Sequence, residues 1–130
     1  MPKNNHFLTF FKYFIEQLII EGDRMKYKNK KTIYNGIKFD SKKEMEHYIY
    51  LLTQQEAGII SGLELQKKFV ILDSYEIEGK KVRPITYVCD FYYIKEGRPV
   101  VVDVKGYKTE VYRLKKKIFE SRYHIKILEI

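Results

Sequence analysis

The sequence predicts an α+β fold with a mixed central sheet flanked by helices, and three observations point to it. Asn35-Gly36 stands between short alternating segments, the strongest short-range signal of a β-hairpin. Val100-Val101-Val102-Asp103-Val104 is an apolar run broken by a single acid, as expected of a central strand covered on both faces. Two other stretches, around 41–57 and 109–122, carry apolar residues at helical spacing instead.

The elements follow in order. In residues 7–20, Phe7, Phe11, Phe14, Leu18 and Ile19 fall on one helical stripe. Lys12 and Glu16 interrupt it, and the run is too short to span a membrane. No small-residue cleavage site follows, so a signal peptide is not expected. We read residues 1–25 as an amphipathic helix and linker, the helix docking on the domain or on a second copy, which makes it a candidate homodimer interface. The compact domain then runs over 26–130.

Within it, 32–39 forms the Asn-Gly hairpin. Ser41 with Glu44 three residues later is a capping box, and Met45, Tyr48, Ile49 and Leu52 give the helix that follows its apolar stripe, ending near Gly58. Residues 63–66 read as a short strand. Two longer strands, 69–78 and 82–94, flank Gly79-Lys80-Lys81, and 100–105 is the central strand, broken by Gly106. Residues 109–122 form a helix, with Val111, Leu114 and Ile118 inward and Arg113, Lys116 and Lys117 outward; 124–130 closes as a strand.

Composition bounds the function. The chain has 130 residues, enough for one domain with a real core, and 45% of them are hydrophobic, which argues against disorder. A single cysteine, Cys89, rules out an internal disulfide framework, and three histidines give no Cys/His zinc spacing. A cytoplasmic protein is expected. The net charge is +8. Lys3, Lys12 and Arg24 cancel Glu16, Glu21 and Asp23, so the whole excess lies in the compact domain. A basic domain interspersed with tyrosines suits a polyanion, and nucleic acid is the commonest.

The chemistry concentrates between Tyr87 and Lys105. If Glu96-Gly97 is the loop of a two-residue hairpin, residues whose numbers sum to about 193 face one another. Asp90 then faces Asp103, and Lys105 shares the face of Asp103. Directly opposed residues have Cβ atoms roughly 4.5–5.5 Å apart, where like charges repel. Two carboxylates so placed call for a cation, and magnesium takes such oxygen ligands while keeping several waters. The backbone carbonyl of Val104 is a further potential ligand, and the Lys105 ammonium is a compact charge for the water or the transition state.

A third acid comes from Glu44 or Glu46. Relative to Met45 they lie about 100° to either side, and Leu51 tilts the buried face toward Glu44. Glu44 is preferred, with Glu46 solvated or paired with a lysine. Gln66 offers an amide for phosphate or a base edge, or a turn cap. Arg83, Lys108, Arg113, Lys116 and Lys117 are candidate contacts to DNA backbone. Tyr107 and Tyr112 either stack on bases or fill a sheet–helix interface.

These residues resemble the PD-(D/E)XK nuclease superfamily, whose signature is an acid on one hairpin strand, (Asp/Glu)-X-Lys on the next, and a glutamate from an earlier helix. They are Asp90 in Tyr-Val-Cys-Asp-Phe, Asp103-Val-Lys105, and Glu44 in Ser41-Lys-Lys-Glu44. The nearer resemblance is to small bacteriophage and prophage proteins of a formerly uncharacterised family placed in that superfamily. It is carried by FDSKKEMEHY, LELQKKF, VRPITYVCDF and VVDVKGYKTEVYRLKKKIFE over about residues 26–130. Cys89 stands where proline commonly precedes the first acid.

The resemblance implies a restriction-endonuclease-like core, with magnesium on Asp90 and Asp103, manganese substituting. It also implies that Lys105 assists the nucleophilic water and that Glu44 contacts a second metal or its water. The expected function is a phage-type deoxyribonuclease in the host bacterial cytoplasm, an endonuclease acting on branched or replicative and recombination DNA. The alternative is a non-catalytic DNA-binding accessory protein on the same fold. The intact Asp90, Asp103 and Lys105 speak against it, since a pure binder gains affinity by losing carboxylates near phosphate.

Overall fold

The computed structural model describes residues 31–105 and 107–130. The expected N-terminal helix and its dimer interface lie outside these residues. The chain divides into two compact units, the first ending at Leu63 and the second spanning Glu64–Ile130.

In the first unit, β1 (Thr32–Tyr34) and β2 (Ile37–Phe39) pair antiparallel with Tyr34 opposite Ile37. Asn35 and Gly36 both take positive φ, the backbone that a two-residue turn of matching twist requires. Helix α1 (Lys42–Glu56) starts at Ser41, whose side chain accepts the Glu44 N–H at 3.1 Å. It packs on β1 and β2. Met45, Tyr48, Ile49 and Leu51 are buried, and Tyr48 meets Phe39 with ring centroids 5.3 Å apart. Leu51 turns inward as its position on the helix predicts. Past α1, Gly58 takes positive φ and its N–H donates to the Gln55 carbonyl. Strand β3 (Ile60–Leu65) carries the chain from the first unit to the second.

The second unit holds β4 (Lys68–Leu72), β5 (Tyr75–Ile77), β6 (Lys80–Val82), β7 (Ile85–Val88), β8 (Phe91–Lys95), β9 (Arg98–Asp103), α2 (Glu110–Tyr123) and β10 (Leu128–Glu129). The long strands expected over 69–78 and 82–94 are each divided. Pro84 has no N–H for a ladder, so β6 and β7 separate there. The chain bends at Asp90 between β7 and β8. The C-terminal strand is also shorter than expected, because His124 caps α2 in the left-handed conformation, φ 55°, rather than opening a strand.

Strands β8 and β9 are antiparallel neighbours, while β9 and β10 run parallel. Parallel neighbours need a long crossover, and α2 supplies it. The sheet is therefore mixed and the class α+β, as predicted, with β9 lying between β8 and β10. Val101, Val102 and Asp103 are all buried, as the apolar run implies.

Helix α2 turns a different face inward from the one expected. Tyr112 and Phe119 are buried, whereas Val111 and Leu114 are 63% and 60% exposed. The helix packs on β4 and β7, where aromatic rings fill more volume than branched aliphatics reach. Phe119 meets Phe69, Tyr87 and Tyr123 with centroids 5.0–5.2 Å apart. Phe69, Ile71, Tyr87, Cys89, Val101, Tyr112, Phe119 and Ile127 form one core.

Candidate functional site

The β8–β9 turn sets the geometry of the site. Glu96 and Gly97 have φ of 51° and 73°, so both central residues occupy the left-handed region, and Lys95 lies opposite Arg98. This is the twist-matched two-residue turn. The ladder runs without a slip to Phe91 opposite Val102, so Asp90 and Asp103 fall at the same level one step further on. The backbone then departs from the ladder. The Asp90 N–H donates to the Val102 carbonyl at 3.1 Å, and the Asp90 carbonyl accepts the Gln66 N–H at 3.1 Å.

Each carboxylate oxygen has a partner. Asp103, the last residue of β9, is 2% exposed. Its Oδ2 accepts the Tyr87 hydroxyl at 2.5 Å and its Oδ1 meets the Lys105 Nζ at 2.7 Å. Asp90 Oδ2 accepts the Val104 N–H at 2.7 Å, and Oδ1 accepts Gln66 Nε2 at 3.3 Å. Gln66 holds φ at 54°, an uncommon conformation for a side chain with a Cβ, and so brings both its backbone and its amide onto Asp90.

Burial, together with the Asp103 charge facing it, pushes the Asp90 carboxyl up to about 6, and the Val104 N–H only partly opposes this. One lysine serves two acids, so the pair is under-compensated. A proton or a cation placed between the two carboxyls would relieve their repulsion. The donor set fits a hard divalent cation. Each ionised carboxyl offers about four lone-pair sites, so the hydrogen bonds above leave acceptor capacity on both. Among the described residues no three His, Cys, Asp or Glu side chains converge. A cation here would rest on Asp90 and Asp103, with water and ligand oxygens completing its shell.

Other expected residues distribute unevenly. Gln66 joins the site through Asp90. Val104, expected to offer its carbonyl, also donates its N–H to Asp90. Glu44 is buried at the start of α1, while Glu46 pairs with Lys42 at 3.8 Å, as its helical position predicted. Arg83, Arg113 and Lys117 are exposed. Lys108 and Lys116, expected as phosphate contacts, ion-pair with Glu129 Oε1 at 3.3 and 2.9 Å. Tyr112 is a core residue, whereas Tyr107 is 85% exposed. Burial holds the Cys89 thiol up at about 12, so it is no nucleophile.

Two participants were not found from sequence. Tyr87 reaches Asp103 from β7, and Glu129 on β10 lies opposite Asp103 across the parallel ladder. Glu129 carried one overlooked signal: it is a lone acid in Ile127-Leu128-Glu129-Ile130, and an acid in an apolar strand needs a partner.

Fold and site together define an α+β protein with a carboxylate pair and a lysine at the end of the central strand of a mixed sheet. The chain belongs to the family described as protein of unknown function (DUF1064), whose model matches residues 24–129. No curated protein and no solved structure matches it. No helix among the described residues is long and apolar enough to cross a membrane.

Proposed function

We propose that the chain is a magnesium-dependent deoxyribonuclease on a restriction-endonuclease-like core, hydrolysing DNA phosphodiester bonds as an endonuclease of phage type. The observation that carries the reading is the facing pair, Asp90 and Asp103, served by the single ammonium of Lys105. A purely structural carboxylate needs one cation, not a second carboxylate raised toward neutrality beside it. A DNA-binding protein without chemistry gains nothing from two acids near phosphate.

Asp90 and Asp103 would hold the cation, with Gln66 and the Val104 N–H fixing the Asp90 carboxyl and Tyr87 fixing that of Asp103. When bound, a divalent cation neutralises charge on the scissile phosphate and polarises the attacking water. Lys105 spends one N–H on Asp103 and keeps two for the water and a phosphoryl oxygen. Hydrolysis places the water's hydroxyl on phosphorus and its proton on the released oxygen. The basic domain, with Arg83, Arg113 and Lys117 exposed, supplies sites for the phosphate backbone.

Purified protein incubated with plasmid and branched DNA tests this directly. Cutting should require Mg²⁺ or Mn²⁺, stop with chelator, and fall by about three orders of magnitude in Asp103→Ala. Metal-independent cutting, or an active Asp103→Ala, would sink the assignment.

A further inference from the structure

We propose that Tyr112 is a positioning residue for Lys105, its ring face setting where the ammonium stands beside the two carboxylates; this rests on the hydrolase reading above. Lys105 carries its charge on a flexible four-carbon stem, so an ion pair alone leaves Nζ free to swing around Asp103. Two contacts hold it here. Nζ lies 2.7 Å from Asp103 Oδ1 and 3.9 Å from the centroid of the Tyr112 ring. A cation over a ring face is attracted by the ring quadrupole, which adds a direction that the carboxylate contact lacks.

The ring is itself fixed. Its residue lies in the first turn of α2, where the Tyr112 N–H donates to Thr109 Oγ1 at 3.1 Å. The side chain is 8% exposed, within the core. Its hydroxyl donates to Glu129 Oε2 at 2.8 Å, and Lys116 and Lys108 grip the other oxygen of that carboxylate. Glu129 is the register partner of Asp103 on the parallel strand. The strand beside the candidate site therefore anchors the ring that holds the site's lysine. A tyrosine that only filled the core would need a partner for its buried hydroxyl, but not an ammonium over its face.

The full-length protein, its Tyr112→Leu and Tyr112→Phe variants and Glu129→Gln, each checked for folding by thermal unfolding, supply the test. With plasmid and Mg²⁺, Tyr112→Leu should lose roughly two- to thirty-fold in kcat with KM for DNA little changed. Tyr112→Phe keeps the ring but frees it from Glu129, and should recover only part of that loss. Independently of activity, the Lys105 ε-CH₂ signal in ¹³C-lysine protein, assigned by its loss in Lys105→Arg, should be shifted upfield by the ring. That shift should vanish in Tyr112→Leu and shrink, without vanishing, in Tyr112→Phe.

An unshifted Lys105 signal in the unmodified protein, or an unchanged kcat in Tyr112→Leu, overturns the role of Tyr112 and leaves the hydrolase reading standing. No metal-dependent cutting by the unmodified protein overturns both. If Tyr112→Leu does not fold, Glu129→Gln decides. A lower kcat with a moved Lys105 signal supports the proposal, and no change in either overturns it.

Discussion

Two carboxylates flank Asp103 from either side of β9, and their surroundings treat them in opposite ways. Glu129 on β10 is gripped by Lys116, the Tyr112 hydroxyl and Lys108, which together hold its carboxyl down at about 2. Asp90, on the far side of β9 where the chain enters β8, is pushed up to about 6 by burial and by Asp103. The same chemical group is over-compensated in one place and under-compensated in the other. Saturation by cations marks a structural anchor, and a deficit of cations marks a place where an external cation has something to gain.

The largest test of that contrast is metal binding against pH. Below about 6 the Asp90 carboxyl holds a proton that a divalent cation must displace. Mg²⁺ affinity measured by calorimetry should rise about tenfold per pH unit up to that point and flatten above it. The heat should depend on buffer ionisation where the proton is released. Affinity independent of pH between 5 and 7 would remove the deficit from the Asp90 side of the comparison.

Stability should move in opposite directions at the two sites. The raised Asp90 carboxyl favours the folded state below its unfolded value near 3.8, and that contribution is lost as pH rises through about 6. Asp90→Asn should therefore stabilise the metal-free protein at pH 7, by about 1 kcal/mol given the partial exposure of the group. Glu129 has the reverse sign. Its contribution is present above 4.5 and lost as pH falls toward about 2. Glu129→Gln should cost about 1–2 kcal/mol at pH 7. Urea unfolding of both variants with chelator present checks the pair of signs, and a shift in the same direction for both would break the comparison.

The smallest effect concerns basic residues outside either cluster. Arg83, Arg113 and Lys117 are exposed, whereas Lys108 and Lys116 are engaged with Glu129. Neutralising one of the first three should lower the slope of log affinity for duplex DNA against log salt by about 1. Fluorescence anisotropy across a salt series reads this slope. An unchanged slope for all three would place the DNA path elsewhere on the domain.

Much of the site was legible because it is local. Glu96-Gly97 supports a two-residue turn, and such a turn dictates the pairing of everything that follows on both strands, so the levelling of Asp90 with Asp103 could be read by counting. The same holds at Asn35-Gly36 and at Ser41, where a short-range hydrogen bond starts α1. Helix α2 was not legible in this way. Its sequence carries two competing stripes: Val111, Leu114 and Ile118, or Tyr112, Phe119 and Tyr123 with lysines between them. Periodicity alone favoured the aliphatic one. Packing against Phe69 and Tyr87 chose the aromatic one.

The sequence by itself thus determined the class of fold, the hairpin register and the facing of two acids beside a lysine, because turns and caps act over a few residues. Only the tertiary structure decided what surrounds those acids. Tyr87 arrives from β7, Gln66 from the segment before β4, and the Glu129–Tyr112 anchor from a parallel pairing closed by a helical crossover. Contacts between segments this far apart depend on how whole elements pack. No spacing along the chain encodes them.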